Sequence, residues 1–64
     1  MESGTIKEWN QLKGWGFIQG DDDYDYFFNI SNVRKGINLT KGIRVKFDIF
    51  HGQRGDEAEN ISIL

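Results

Sequence analysis

The chain contains no cysteine and no proline. Without cysteine, neither a disulfide framework nor a thiolate metal site can supplement a small core. The lack of proline decides nothing about the fold. There is no run of about 18 apolar residues to suggest a membrane helix, and no signal-peptide pattern. The cytoplasm is therefore the expected compartment, with no membrane partner. Asn-x-Ser/Thr sequons begin at Asn29, Asn38 and Asn60, and without a secretory signal they read as chance matches. A strong positive charge is missing too: 8 Lys and Arg against 10 Asp and Glu give a formal net charge of −2. That argues against a duplex-wrapping DNA binder, which usually carries a basic face. It leaves room for a binder driven by stacking, with a few clustered cations. Helical periodicity is also absent, since no window of about 11 residues or more carries apolar residues at i, i+3, i+4 and i+7.

What the chain does have is strand patterning. Its 64 residues make one expected domain, residues 1–64. A chain of this size buries only about 60% of its unfolded surface, so its stability should be roughly 3–10 kcal/mol. Strands are predicted over residues 5–10 (running on towards Leu12), 15–20, 24–30, 43–50 and 58–63. Residues 20–23, 36–42 and 52–56 read as turns and loops. Residues 31–34 suit a single 3₁₀ turn. Five short strands joined by glycine-rich turns predict an all-β, antiparallel, closed or nearly closed barrel.

Lys13-Gly14-Trp15-Gly16-Phe17-Ile18 alternates bulky apolar residues with glycine. In a strand, residues i and i+2 share a face. Trp15 and Phe17 therefore point one way, outward, while Gly16 and Ile18 point inward. Strict alternation also places Lys7 and Trp9 outward and Ile6 inward. It groups Asp25, Phe27 and Asn29 on the outer face, opposite Tyr24, Tyr26, Phe28 and Ile30. In the later strands it turns Ile43, Val45, Phe47, Ile49, Ile61 and Ile63 inward. The same rule turns Glu8 inward, which a core tolerates only if the strand twists or bulges there. Exposed rings beside lysines suit single-stranded nucleic acid, because every base has a stackable face and every nucleotide a phosphate.

These residues together resemble a cold-shock domain, an OB-type barrel that binds single-stranded RNA and DNA. The resemblance runs through Gly4-Thr5-Ile6-Lys7, Asn10 and the Lys13–Ile18 motif, then Asp25-Tyr26-Phe27-Phe28-Asn29-Ile30-Ser31. It continues through Leu39, Gly42, Val45, Phe47, Gly52-Gln53-Arg54-Gly55 and Ala58-Glu59-Asn60-Ile61. It implies a single-stranded RNA and DNA binder of low sequence specificity that acts as an RNA chaperone. Lys7, Lys13, Trp15, Phe17, Asp25, Phe27 and Arg54 would lie at or near the ligand surface. Trp9 sits where the family has a phenylalanine near that surface, and Asn29 where it has a histidine. The chain departs from the family at Glu8, where a tryptophan is usual, at Ile30, where a phenylalanine is usual, and at Trp15, which replaces a phenylalanine. Its connecting loop is shorter than usual, with Ile37 where an aromatic often sits.

Other chemistries have weak signals. Asp21-Asp22-Asp23 lacks the glycine and glutamate spacing of a calcium loop, so an exposed acidic turn is expected and no metal site. His51 has no partner for a ligand set or a catalytic dyad. Gly14-x-Gly16 precedes no helix and is not a dinucleotide fingerprint. No enzyme, cofactor or small-molecule substrate is expected, and a monomer is favoured. An RNA-recognition motif needs two helices that this chain lacks. The alternative function is a small SH3-like protein-interaction barrel, suggested faintly by Tyr24-Asp25-Tyr26.

Overall fold

The computed structural model describes all 64 residues, Met1–Leu64. Five strands form: β1 (Glu2–Asn10), β2 (Trp15–Gly20), β3 (Asp25–Asn29), β4 (Arg44–Gly52) and β5 (Gly55–Ile63), with a 3₁₀ turn at Ile30–Asn32. They close into a barrel in the order β1-β2-β3-β5-β4, with β4 paired back to β1. The expected five-stranded all-β barrel is therefore present. Its antiparallel description needs one correction: β3 and β5 run parallel where Phe27 faces Glu57. Closure requires this. Strand direction flips at every antiparallel neighbour, and five flips cannot return a ring to its starting direction.

Strands β1 and β5 begin earlier than the apolar pattern suggests. Backbone pairing does not need apolar side chains, and Glu2 pairs with Phe47 while Asp56 pairs with His51. The β4–β5 hairpin closes tightly, with Gly52 opposite Gly55.

The interior is one cluster: Ile6, Ile18, Tyr26, Phe28, Leu39, Val45, Phe47, Ala58 and Ile61. Three strands contribute an instructive row. Trp9 faces Gly16 across one ladder, and Gly16 faces Phe28 across the next. The Trp9 and Phe28 rings lie 5.3 Å apart and within 15° of parallel. Glycine between them leaves the space that the stack occupies. A Cβ at position 16 would come 2.5 Å from the Glu8 carbonyl oxygen and 2.8 Å from the Phe28 ring.

This row corrects the expected facing of β1. The ladder slips between Ile6 and Glu8, so Lys7 is an extra, bulged residue. A one-residue slip moves all later side chains to the other face. Trp9 therefore turns in to the core, against which it packs half-buried, rather than outward. Glu8 turns out, beside Phe17, and avoids the cost of an unpaired buried charge.

A second slip, between Lys46 and Asp48, sets Asn60 and Ile61 against the single residue Phe47. There Asn60 adopts φ 53°. Ile49 and Ile63, expected inside, are 37% and 48% exposed. Opposite Ile49 stands Ala58, too small to cover it, and Ile63 is the last residue of its strand. Tyr24 and Ile30 flank β3 rather than belonging to it, so strand alternation does not govern them, and both are exposed.

The β2–β3 turn is exposed, as expected of the acidic run, and two of its three aspartates anchor it. Asp21 receives two hydrogen bonds from the Arg44 guanidinium, at 2.6 and 2.8 Å, and one from the Ser3 hydroxyl. Asp22 accepts from the Tyr24 N–H at 3.0 Å and the Tyr26 hydroxyl at 2.6 Å. These donors hold both carboxyls below the usual carboxylate range. The bond to Asp22, together with burial, pushes the Tyr26 hydroxyl up to about 12.

Two outcomes follow for stability. Gly16→Ala should destabilise the fold by about 3 kcal/mol, because one clash is with backbone that cannot rotate away; urea midpoints of the two proteins measure it. The aspartates bind protons less readily when folded, so their contribution is complete above about pH 5 and is lost as pH falls below about 4. Tyr26 has the opposite sign: its contribution is present below about pH 10 and is lost as pH rises through about 12. Tyr26→Phe should flatten both limbs of the stability–pH curve measured by denaturant titration, with the larger remaining acid dependence belonging to Asp21.

Candidate nucleic-acid interface

Strand β2 is regular, so its alternation is undisturbed. Gly16, Ile18 and Gly20 are buried, whereas Trp15 and Phe17 are half-buried on the outer face. Cross-strand register then assembles that face. Phe17 lies between Glu8 and Phe27, and Trp15 lies between Asn10 and Asn29. The Trp15 and Phe17 rings meet edge to face at 6.1 Å, and Phe17 meets Phe27 the same way at 5.6 Å. The result is one continuous aromatic strip across β2 and β3.

Cations border the strip. The Arg54 guanidinium, from the β4–β5 turn, lies 4.5 Å from the centre of the Phe27 ring. It covers that ring, which is only 8% exposed although it faces away from the core cluster. An exposed cation–π contact is worth about 0.5–1 kcal/mol, less than the roughly 1–3 kcal/mol of base–aromatic stacking. A base therefore has the free energy to displace Arg54, or it can stack on the guanidinium plane itself. Lys7, lifted outward by the bulge, bonds Asp25 at 2.7 Å. Lys13 is exposed in the β1–β2 turn, where its N–H bonds the Asn10 side chain at 3.0 Å and Gly14 adopts φ 73°.

Of the residues singled out in the sequence, Trp15, Phe17, Phe27, Asn29 and Arg54 come together on this strip. Lys7 and Asp25 form an ion pair at its margin, and Lys13 stands at its end. Trp9 is not part of the strip: its ring stacks on Phe28, and its half-buried edge lines a recess beside Trp15. Glu8, turned inward by strict alternation but matched by the resemblance to a family tryptophan, is on the face; Lys41, which borders the same recesses, was missed. Lys41 sits in a connection with no periodicity to read. It reaches β1 because Gly42 and Ile43 bond to the Ile6 backbone.

Comparison with known proteins identifies the family and the fold. The model of the 'Cold-shock' DNA-binding domain matches residues 2–64. Cold shock protein ScoF of Streptomyces coelicolor is 44% identical, over 97% of each chain. Cold shock-like protein CspLB of Listeria monocytogenes is 39% identical, over the whole of both chains. Cold shock protein CspC of Bacillus subtilis is 38% identical, over 95% of this chain and 96% of its own. Among solved structures, Drosophila Unr CSD456 superposes with a TM-score of 0.82 at 23% identity, over 98% of this chain and 26% of that one. That likeness speaks for the fold. The SH3-like alternative is not favoured by these matches. On the family match and the full-length relatives, the chain belongs to the 'Cold-shock' DNA-binding domain family.

Proposed function

We propose that the chain binds single-stranded RNA and DNA without catalysis, and with little sequence preference, on the outer face of β1–β3. By trapping unpaired strands it would act as an RNA chaperone, shifting hairpin equilibria by mass action. The observation that carries this reading is the single strip of Trp15, Phe17 and Phe27 with Arg54 lying over its far end. Stacking accepts any base, which accounts for low specificity. Asn29, placed beside Trp15 by register, has an amide that both donates to and accepts from a base edge. Lys7, Lys13 and Arg54 supply phosphate contacts. Asp25 draws Lys7 toward the margin of the strip, and so orients its ammonium at the cost of part of its charge.

The reading is tested by tryptophan-fluorescence titration with pyrimidine oligonucleotides. Single strands should bind more tightly than a duplex of the same sequence, because stacking needs unpaired bases; equal affinities would overturn it. Phe17→Ala should weaken binding by roughly 1–3 kcal/mol. Its effect on folding should be smaller than that of Ile18→Ala, where loss of a buried side chain costs about 2–5 kcal/mol. Unfolding by Phe17→Ala but not by Ile18→Ala would show the opposite division of labour.

Salt supplies a further check. The slope of log K against log salt is about −0.7 per phosphate neutralised on a single strand. Two or three contacts give roughly −1.4 to −2.1. A slope near −5 would bring cations from among Arg34, Lys35, Lys41, Arg44 and Lys46 into the interface.

A further inference from the structure

The acidic side chains around the aromatic strip are not equivalent. Asp25 is held by Lys7. Glu57 is buried and approached by the Arg54 N–H. Glu8 is exposed and takes no part in any ion pair. Its position is nevertheless fixed by backbone register, directly across the ladder from Phe17, where side chains stand about 5 Å apart at their Cβ atoms. Glu8 also forms the wall between two recesses. Trp9 and Trp15 line one, Lys7, Phe17 and Asp25 line the other, and Lys41 borders both. A carboxylate with unused acceptor capacity thus stands beside the central ring of the stacking strip.

We propose that Glu8 reads the exocyclic amino group of a base stacked at Phe17, so that this subsite favours amino-bearing bases, cytosine above all, over uracil and thymine. The inference rests on the proposed single-strand binding and refines it at one position. A phosphate is repelled from Glu8, so the ligand part that approaches it is a base edge. An ionised carboxylate only accepts hydrogen bonds. Cytosine presents the N4 amino donor, the usual partner of an acidic side chain in base recognition. Uracil presents the O4 acceptor at the same place, and acceptor would face acceptor. A polar group forced against the wrong partner loses its hydrogen bond with water and gains none, which makes rejection more effective than attraction.

The test compares hexamers of cytidine and of uridine by fluorescence titration of the full chain at pH 7.5. The two probes carry the same phosphates, so backbone electrostatics cancel in the ratio of affinities. The wild-type chain should bind the cytidine hexamer about 3- to 10-fold more tightly, the range of one ordinary hydrogen bond, because solvent screens the charge of an exposed acceptor. In Glu8→Gln the ratio should fall to within about twofold, because an amide can turn either its donor or its acceptor to the base. Equal wild-type affinities, tighter uridine binding, or an unchanged ratio in Glu8→Gln would overturn the role of Glu8 while leaving single-strand binding intact. Failure of the wild-type chain to bind either hexamer would overturn both.

Discussion

The stack of Trp9 on Phe28 above Gly16 organises the rest of the molecule. Two large rings from β1 and β3 can approach to 5.3 Å only because the residue between them has no side chain. To bring Trp9 into that position, β1 must give up one residue of register, and it does so at Lys7. The slip sends Glu8 and Lys7 outward together and completes the row in which Phe17 sits between Glu8 and Phe27. The inner packing and the outer aromatic face are therefore two sides of one backbone irregularity.

Electrostatics restrain the same face. A net charge of −2 gives little long-range attraction for a polyanion, and much of the local charge is already engaged. Asp21 ties down Arg44, Asp25 ties down Lys7, and the Phe27 ring holds Arg54. Each contact is exposed and modest in strength, so none blocks a ligand outright. On the proposed binding mode, the contacts of Lys7 and Arg54 hold these two flexible side chains in place beforehand, which reduces the entropy lost when they are ordered by a ligand.

Legibility in the sequence followed regularity. Strand β2 has no irregularity, and the outward pair Trp15 and Phe17 was readable from alternation alone. In β1 the same rule failed at Lys7, because the slip is driven by a contact with Phe28, far along the chain, that no local pattern announces. The acidic run read as a solvated turn, whereas Asp21 finds Arg44 at a separation of 23 residues. The one parallel pair was implicit in a closed ring of five strands and needed parity rather than propensity. Family likeness pointed to Arg54, but only coordinates put its guanidinium over Phe27. Lys41 left no trace, since its placement depends on two backbone bonds from a coil segment to β1.

The bulge at Lys7 also separates two kinds of selection. Because position 8 is exposed and position 9 packs inside, adjacent residues answer to different demands. Position 9 must satisfy a glycine-backed stack and leaves little choice. Position 8 is exposed and outside the core cluster, so an aromatic, an amide or a carboxylate can occupy it without repacking the barrel. On the proposed reading of Glu8, a change at this one codon would alter which bases the face tolerates at little cost in folding.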